Sequence, residues 1–113
     1  MKIGFTGSRT ATFLNPEILE ELNRIKKESE MIIHGGAIGA DMLVEDWATK
    51  NMVNQRVIQP INKDNKMNYL YRNVEIIEAS DKILAYWDGK SRGTKFTIDY
   101  AKAREKEVKI IMF

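Results

Sequence analysis

The chain has no cysteine, a single histidine and two prolines in 113 residues. Without thiols it can form neither disulfides nor thiolate metal sites nor a cysteine nucleophile, and one imidazole cannot build a histidine metal cluster. No metal or other cofactor is therefore expected, and Asp and Glu show no clustered ligand pattern. Long apolar runs are missing too. None approaches the ~20 residues needed to span a bilayer, and Met1-Lys2-Ile3-Gly4 opens no signal-peptide run. The expectation is a cytoplasmic protein that does not engage a membrane. Charge of one sign is also scarce: 18 Lys and Arg against 16 Asp and Glu leave a net charge of +2, too little to argue for nucleic acid. Residues 88 to 109 hold seven Lys or Arg against four Asp or Glu, an excess that reads first as a solvated basic face.

What is present is an ordinary globular composition, 43% apolar and 30% charged. The length predicts one domain over residues 1–113, enough to bury roughly two thirds of the extended surface. Apolar runs alternate with amphipathic segments throughout. Strands are expected at 2–6, 31–34, 55–59, 82–87 and 108–112. The first helix should run from Pro16 to Ser29, with Asn15 as N-cap and Ile18, Leu19, Leu22 and Ile25 on one face. The second covers 39–52, with Leu43, Val44, Trp47 and Ala48 inward. Met67, Leu70, Tyr71, Val74 and Ile77 form the stripe of a third helix, and Phe96, Tyr100, Ala101 and Ala103 belong to a fourth. Such alternation with short joints implies right-handed crossovers. The fold class is α/β: a single Rossmann-like three-layer sandwich with a mainly parallel sheet of about five strands.

The most informative stretch is Ile32-Ile33-His34-Gly35-Gly36-Ala37-Ile38-Gly39-Ala40-Asp41, where an apolar run meets glycines and becomes a helix. Bare backbone amides at the positive end of a helix dipole suit an anion. Gly7-Ser8-Arg9 ends the first strand with groups suited to phosphate oxygens. Trp87-Asp88-Gly89 ends the fourth, and Ser91-Arg92-Gly93-Thr94 opens the next helix. Ligands of open α/β sheets sit beyond the carboxyl ends of the strands, so these three loops should converge, with residues 60–66 as a mobile rim.

Several residues carry two readings. Gly35, Gly36 and Gly39 are turn and packing glycines or, as three in five residues favour, a ligand loop. Asp41 stabilises the helix dipole or binds ribose hydroxyls or a base amine. Arg9 is the leading phosphate ligand; Arg72, next to Asn73, either snorkels or makes a second anion contact. His34 and Trp87 are packing residues as readily as ligand contacts. Ser91 and Thr94 can cap the fourth helix and also hold a phosphate.

Gly7-Ser8-Arg9, the segment from His34 to Asp41, Arg72-Asn73, Ala79-Ser80-Asp81 and the segment from Trp87 to Thr94 occur in an order that resembles the SLOG superfamily. That group includes the DNA-processing protein of natural transformation and the lonely-guy phosphoribohydrolases. The similarity runs nearly end to end and is greatest to short, stand-alone YspA-like domains. It implies binding of nucleotides or nucleotide-derived ligands at the strand ends. The enzymatic relatives place a glutamate three residues after the Gly-Thr pair. Here that position is Thr97, whose hydroxyl cannot replace a carboxylate base or nucleophile unaided. A resemblance to nucleoside deoxyribosyltransferases over Asp81 to Ala101 meets the same obstacle. Asp99 lies about 200° round the helix from that position.

The expected function is binding of a nucleotide-like small molecule, with a sensor or sequestering protein as a subtype, and no catalytic machinery is recognisable in the sequence. One alternative is a nucleoside phosphate N-glycosidase using Asp41 or Asp88. Another is single-stranded nucleic-acid binding, disfavoured because most of the ten aromatics fit core stripes. A homodimer or higher oligomer is expected from Trp47, Met52, Val53, Tyr69 and Tyr71, more apolar surface than two helical layers readily cover.

Overall fold

The computed structural model describes residues 1–29 and 31–113. Five strands form one all-parallel sheet: β1 (Lys2–Gly7), β2 (Met31–His34), β3 (Gln55–Val57), β4 (Lys82–Trp87) and β5 (Glu107–Met112). Their spatial order is β3-β2-β1-β4-β5. The joining helices are α1 (Pro16–Glu28), α2 (Ala40–Lys50), α3 (Lys66–Ala79) and α4 (Arg92–Ala103). The expected Rossmann-like architecture holds. None of the described helices is long and apolar enough to cross a membrane.

Alternation along the strands divides the core. Ile3, Phe5, Leu84 and Tyr86 pack with Ile18, Leu22 and Ile25 of α1 and Val44, Trp47 and Ala48 of α2. On the other face Ile33 meets Ile76 of α3, and Ile83 meets Ile77 of α3 and Ala101 of α4. Sequential strands step outward from β1 to β3, and the chain then crosses back to β4. Consequently the two helix pairs cover opposite faces, and the strand order reverses between β1 and β4.

Helix ends follow local chemistry. The Asn15 and Asn65 carboxamides accept from the Ile18 and Met67 amides and cap α1 and α3, contacts worth about 1 kcal/mol each. β3 ends at Val57, two residues early, because Pro60 and the turn after it leave the sheet edge. On α3 the expected stripe is rotated. Met67 and Tyr71 are exposed, and the buried positions are Arg72, Ile76 and Ile77. On α4, Ala103 is exposed while Thr94, Thr97 and Ile98 turn inward. Periodicity alone overlooks an inward arginine or threonine satisfied by a backbone carbonyl.

The apolar surplus is smaller than the sequence suggests. Trp47 belongs to the core and Val53 packs against it. Tyr69 lies in the cleft described below, leaving Met52 and Tyr71 exposed.

Candidate functional site

A cleft of about 800 Å3 opens where the strand order reverses. The loop after β1 contributes Gly7, Arg9 and Thr10, and the loop into α2 contributes Ala37 and Asp41. Asp88, Lys90, Ser91, Gly93 and Thr94 come from the β4–α4 junction, while α3 supplies Tyr69, Leu70, Arg72 and Asn73. Lys63, Asp64 and Lys66 line it from the segment after β3. The three loops thus converge at one edge, with residues from the 60–66 segment beside them.

Arg9 and Arg72 are placed by different means. Ser8 is fully buried: its amide donates to the Tyr86 carbonyl, and its own carbonyl accepts from Ala11 and Ala40. The Tyr86 hydroxyl accepts from the Asn15 amide and donates to the Phe13 carbonyl. With the loop tied at both ends, the Arg9 side chain lines the cleft, exposed, and makes no hydrogen bond among the described residues. Gly39, at φ +88°, lies against the Arg9 backbone, and a Cβ there would fall 2.5 Å from the Arg9 carbonyl oxygen. Only glycine combines that dihedral with that approach.

Arg72 is 6% exposed, so it does not snorkel. Its Nη1 donates to the Gly35 carbonyl at 2.7 Å and its Nε to Asn73 Oδ1 at 2.8 Å. A side chain at Gly35 would collide with the guanidinium. Burial pushes the Arg72 guanidinium below its ordinary pKa; nearby Asp41 opposes that shift and Arg9 adds to it. Both guanidinium carbons lie over the Tyr69 ring, 5.3 Å from its centroid for Arg9 and 5.5 Å for Arg72. The ring face offsets part of the like-charge repulsion. Two cations over one ring, with no carboxylate salt bridge among the described residues, make an electrostatic site for an anion.

Asp41 stands opposite in character. Its Oδ2 accepts from the Ala37 amide at 3.1 Å, but Oδ1 is buried with no hydrogen-bond partner among the described residues. Burial raises its pKa above the ordinary carboxylate value, partly offset by the Ala37 amide, by nearby positive charge and, least, by the Gly35 amide, which lies outside hydrogen-bond geometry. A buried acceptor without a donor is costly unless a ligand or water supplies one. Asp88 has donors on both oxygens: Oδ2 accepts from the Thr10 hydroxyl at 2.7 Å, and Oδ1 accepts from the Lys90 and Ser91 amides at 2.8 Å. These bonds, the Thr10 hydroxyl first, hold its pKa down at about 2. Of the two carboxylates considered for chemistry, Asp88 is a brace between loops and Asp41 has an unused oxygen.

Six residues considered for ligand contact do not line the cleft: Ser8, His34, Gly35, Gly36, Gly39 and Trp87. The Ser8 hydroxyl is buried and accepts from the Asp88 amide. His34 is wholly buried, with Nε2 on Gln55 Oε1 at 3.0 Å and Nδ1 accepting from the Gly36 amide. Trp87 donates from Nε1 to the Ser91 carbonyl. Gly39 serves the Arg9 backbone. Ser91 makes no side-chain cap on α4; its hydroxyl instead pairs with that of Thr94 at 3.2 Å. Thr97 is 1% exposed and donates to the Gly93 carbonyl, while Asp99 is bound to Lys95 on the solvent side. Gly35 and Gly36 line a smaller recess that adjoins the cleft.

Sequence reasoning missed Thr10, Lys63 and Tyr69. Tyr69 was legible in part, since it lies three residues before Arg72 and so shares its helix face.

The YspA, cpYpsA-related SLOG family model matches residues 1–63, and the chain belongs to that family. Among solved structures, DNA processing protein A from Streptococcus pneumoniae superposes with a TM-score of 0.77 at 16% identity, over 99% of this chain and 50% of that one. DNA processing protein A from Helicobacter pylori, solved in a study of its single-stranded DNA binding mode, gives 0.74 at 17% identity, over 97% and 64%. At such identity the likeness is one of fold, and this chain spans half to just under two thirds of those structures. No curated protein matches.

Proposed function

We propose that the cleft binds a nucleotide or nucleotide-derived small molecule, with its phosphate on Arg9 and Arg72. The observation that carries this reading is the pairing, in one cleft, of two guanidiniums over Tyr69 with the unpartnered Oδ1 of Asp41. A phosphate alone would meet only the first. A ligand that also carries a ribose hydroxyl or a base amine supplies the donor that Oδ1 lacks. The site at the reversal of strand order is where α/β sheets of this topology take such ligands.

Isothermal titration with AMP, adenosine and inorganic phosphate tests the reading. AMP is expected to bind at least about tenfold more tightly than either fragment, equivalent to about 1.4 kcal/mol. Equal binding of phosphate and AMP would remove the role given to Asp41, and no binding of AMP would refute the reading.

A second reading is single-stranded DNA, the subject of the Helicobacter pylori work. Lys63, Lys66 and Lys90 along the cleft favour it. It requires short oligothymidylate to bind with a steep loss of affinity as salt is raised. We also assign self-association to the exposed apolar residues near edge strand β3, Met52, Val57 and Ile61. Light scattering at a multiple of the 13.1 kDa chain mass is the expected result; the mass of one chain at micromolar concentration would exclude it.

A further inference from the structure

The cleft does not end at the two arginines. A recess of about 220 Å3 adjoins it, bounded by Gly36, Ile38, Gln59 and Pro60. The two spaces share five lining residues: Arg9, Ala37, Lys63, Tyr69 and Arg72. Three of these are cations, and among the described residues no carboxylate lines the recess. Asp41, Asp64 and Asp88 are all confined to the larger cleft. A cationic partition therefore stands between two hollows.

From this juxtaposition we infer that the ligand has two parts joined by a phosphate bridge, one part in the cleft, the bridge on the Arg9–Tyr69–Arg72 partition and the second part in the recess. The inference rests on the nucleotide reading above and extends it. Size and lining both support it. The recess has the volume of about seven waters at ~30 Å3 each, room for a purine base and too little for a whole second nucleotide. Ile38 and Pro60 offer apolar walls to a ring, and Gln59 carries a carboxamide that can pair with polar edge atoms. A terminal phosphate would use the partition but leave those walls uncovered. Among the described residues Arg72 has two hydrogen bonds to protein, from Nη1 and Nε, and none from Nη2, which leaves a donor edge for the bridge.

Isothermal titration of the full chain with AMP, diadenosine diphosphate and short oligothymidylate tests this, in the natural protein and in Ile38→Trp. Ile38 is 64% exposed, so a larger side chain there has space outside the core and fills the recess. Diadenosine diphosphate is expected to bind about tenfold or more tighter than AMP, because linking a second bound group raises affinity without a new encounter. Ile38→Trp should erase that advantage and leave AMP affinity unchanged. Unchanged AMP binding also shows that the variant is folded. AMP binding with no gain from the second adenosine overturns the inference while leaving the nucleotide reading intact. Loss of AMP and diadenosine diphosphate affinity by the same factor in Ile38→Trp overturns it too. Tight oligothymidylate binding without any diadenosine diphosphate binding replaces it with a polymer site.

Discussion

Asp41 and Asp88 sit on opposite rims of one cleft, and their environments diverge. Asp88 receives a hydroxyl and two amides and is held at about 2; Asp41 receives one amide, is buried, and is raised. The difference is one of task. A carboxylate whose two oxygens both take donors from its own chain fixes a loop, whereas one with a buried oxygen left short of a donor has capacity for something outside the chain. The same contrast runs through the helix ends. α1 and α3 carry asparagine caps, while α2 and α4 begin at the cleft with no side-chain cap.

The largest expected effect comes from removing the cation between the rims. Arg72→Ala leaves the Gly35 carbonyl without its buried donor and opens a void beside Asp41. Urea unfolding should show a loss of about 3 kcal/mol. A change near zero would mean that Arg72 is not the post on which the α2 side of the cleft rests.

Next in size is the Asp88 brace. Asp88→Ala should lower the melting temperature by less than Arg72→Ala and weaken ligand binding, because Thr10, Lys90 and Ser91 lose their common acceptor. Its folded pKa is below the unfolded value near 3.9, so its contribution is present above pH 4 and disappears as pH falls through about 2. An acid melting series in which Asp88→Ala and the natural protein converge near pH 2 checks the sign.

Asp41 should behave in the opposite sense and more weakly. Its raised pKa makes the ionised form a burden on the ligand-free fold, relieved as pH falls from the raised value toward the unfolded one. Asp41→Asn should therefore raise the ligand-free urea midpoint at neutral pH while lowering AMP affinity. A lower midpoint would show that Oδ1 already has a partner in solution.

The smallest expected signal is chemical. The natural protein should release no free base from nucleoside monophosphates above an inactive control in a chromatographic assay. Base release that disappears in Asp41→Asn would promote the glycosidase alternative. Thr97→Glu is not expected to restore activity, because position 97 is buried and lies outside the cleft lining; it should instead cost about 1–3 kcal/mol of stability.

Those contrasts also separate what was legible in the sequence from what was not. Strand and helix alternation, the Asn15 cap and the three glycine-bearing loops disclosed the sandwich and the sheet edge at which the cleft opens, because each depends on local pattern and on topology. The inward turn of Arg72 did not show. Helical periodicity treats arginine as surface, and only the Gly35 carbonyl, 37 residues away in sequence, makes burial tolerable. Ser8 and His34 misled for a related reason. Both carry groups suited to a ligand, and both spend them on partners that tertiary structure supplies, the Asp88 amide for one and Gln55 and Gly36 for the other.

The most direct test of the central claim is the ligand-linked stability of Arg9→Ala. Arg9 is exposed and its side chain makes no hydrogen bond among the described residues, so the ligand-free melting temperature should stay almost unchanged. AMP at about 100 times its dissociation constant should stabilise the natural protein by about 2.7 kcal/mol, and Arg9→Ala should lose that gain at the same AMP concentration. A full AMP gain in Arg9→Ala, or an equal loss of stability with and without AMP, would contradict the account.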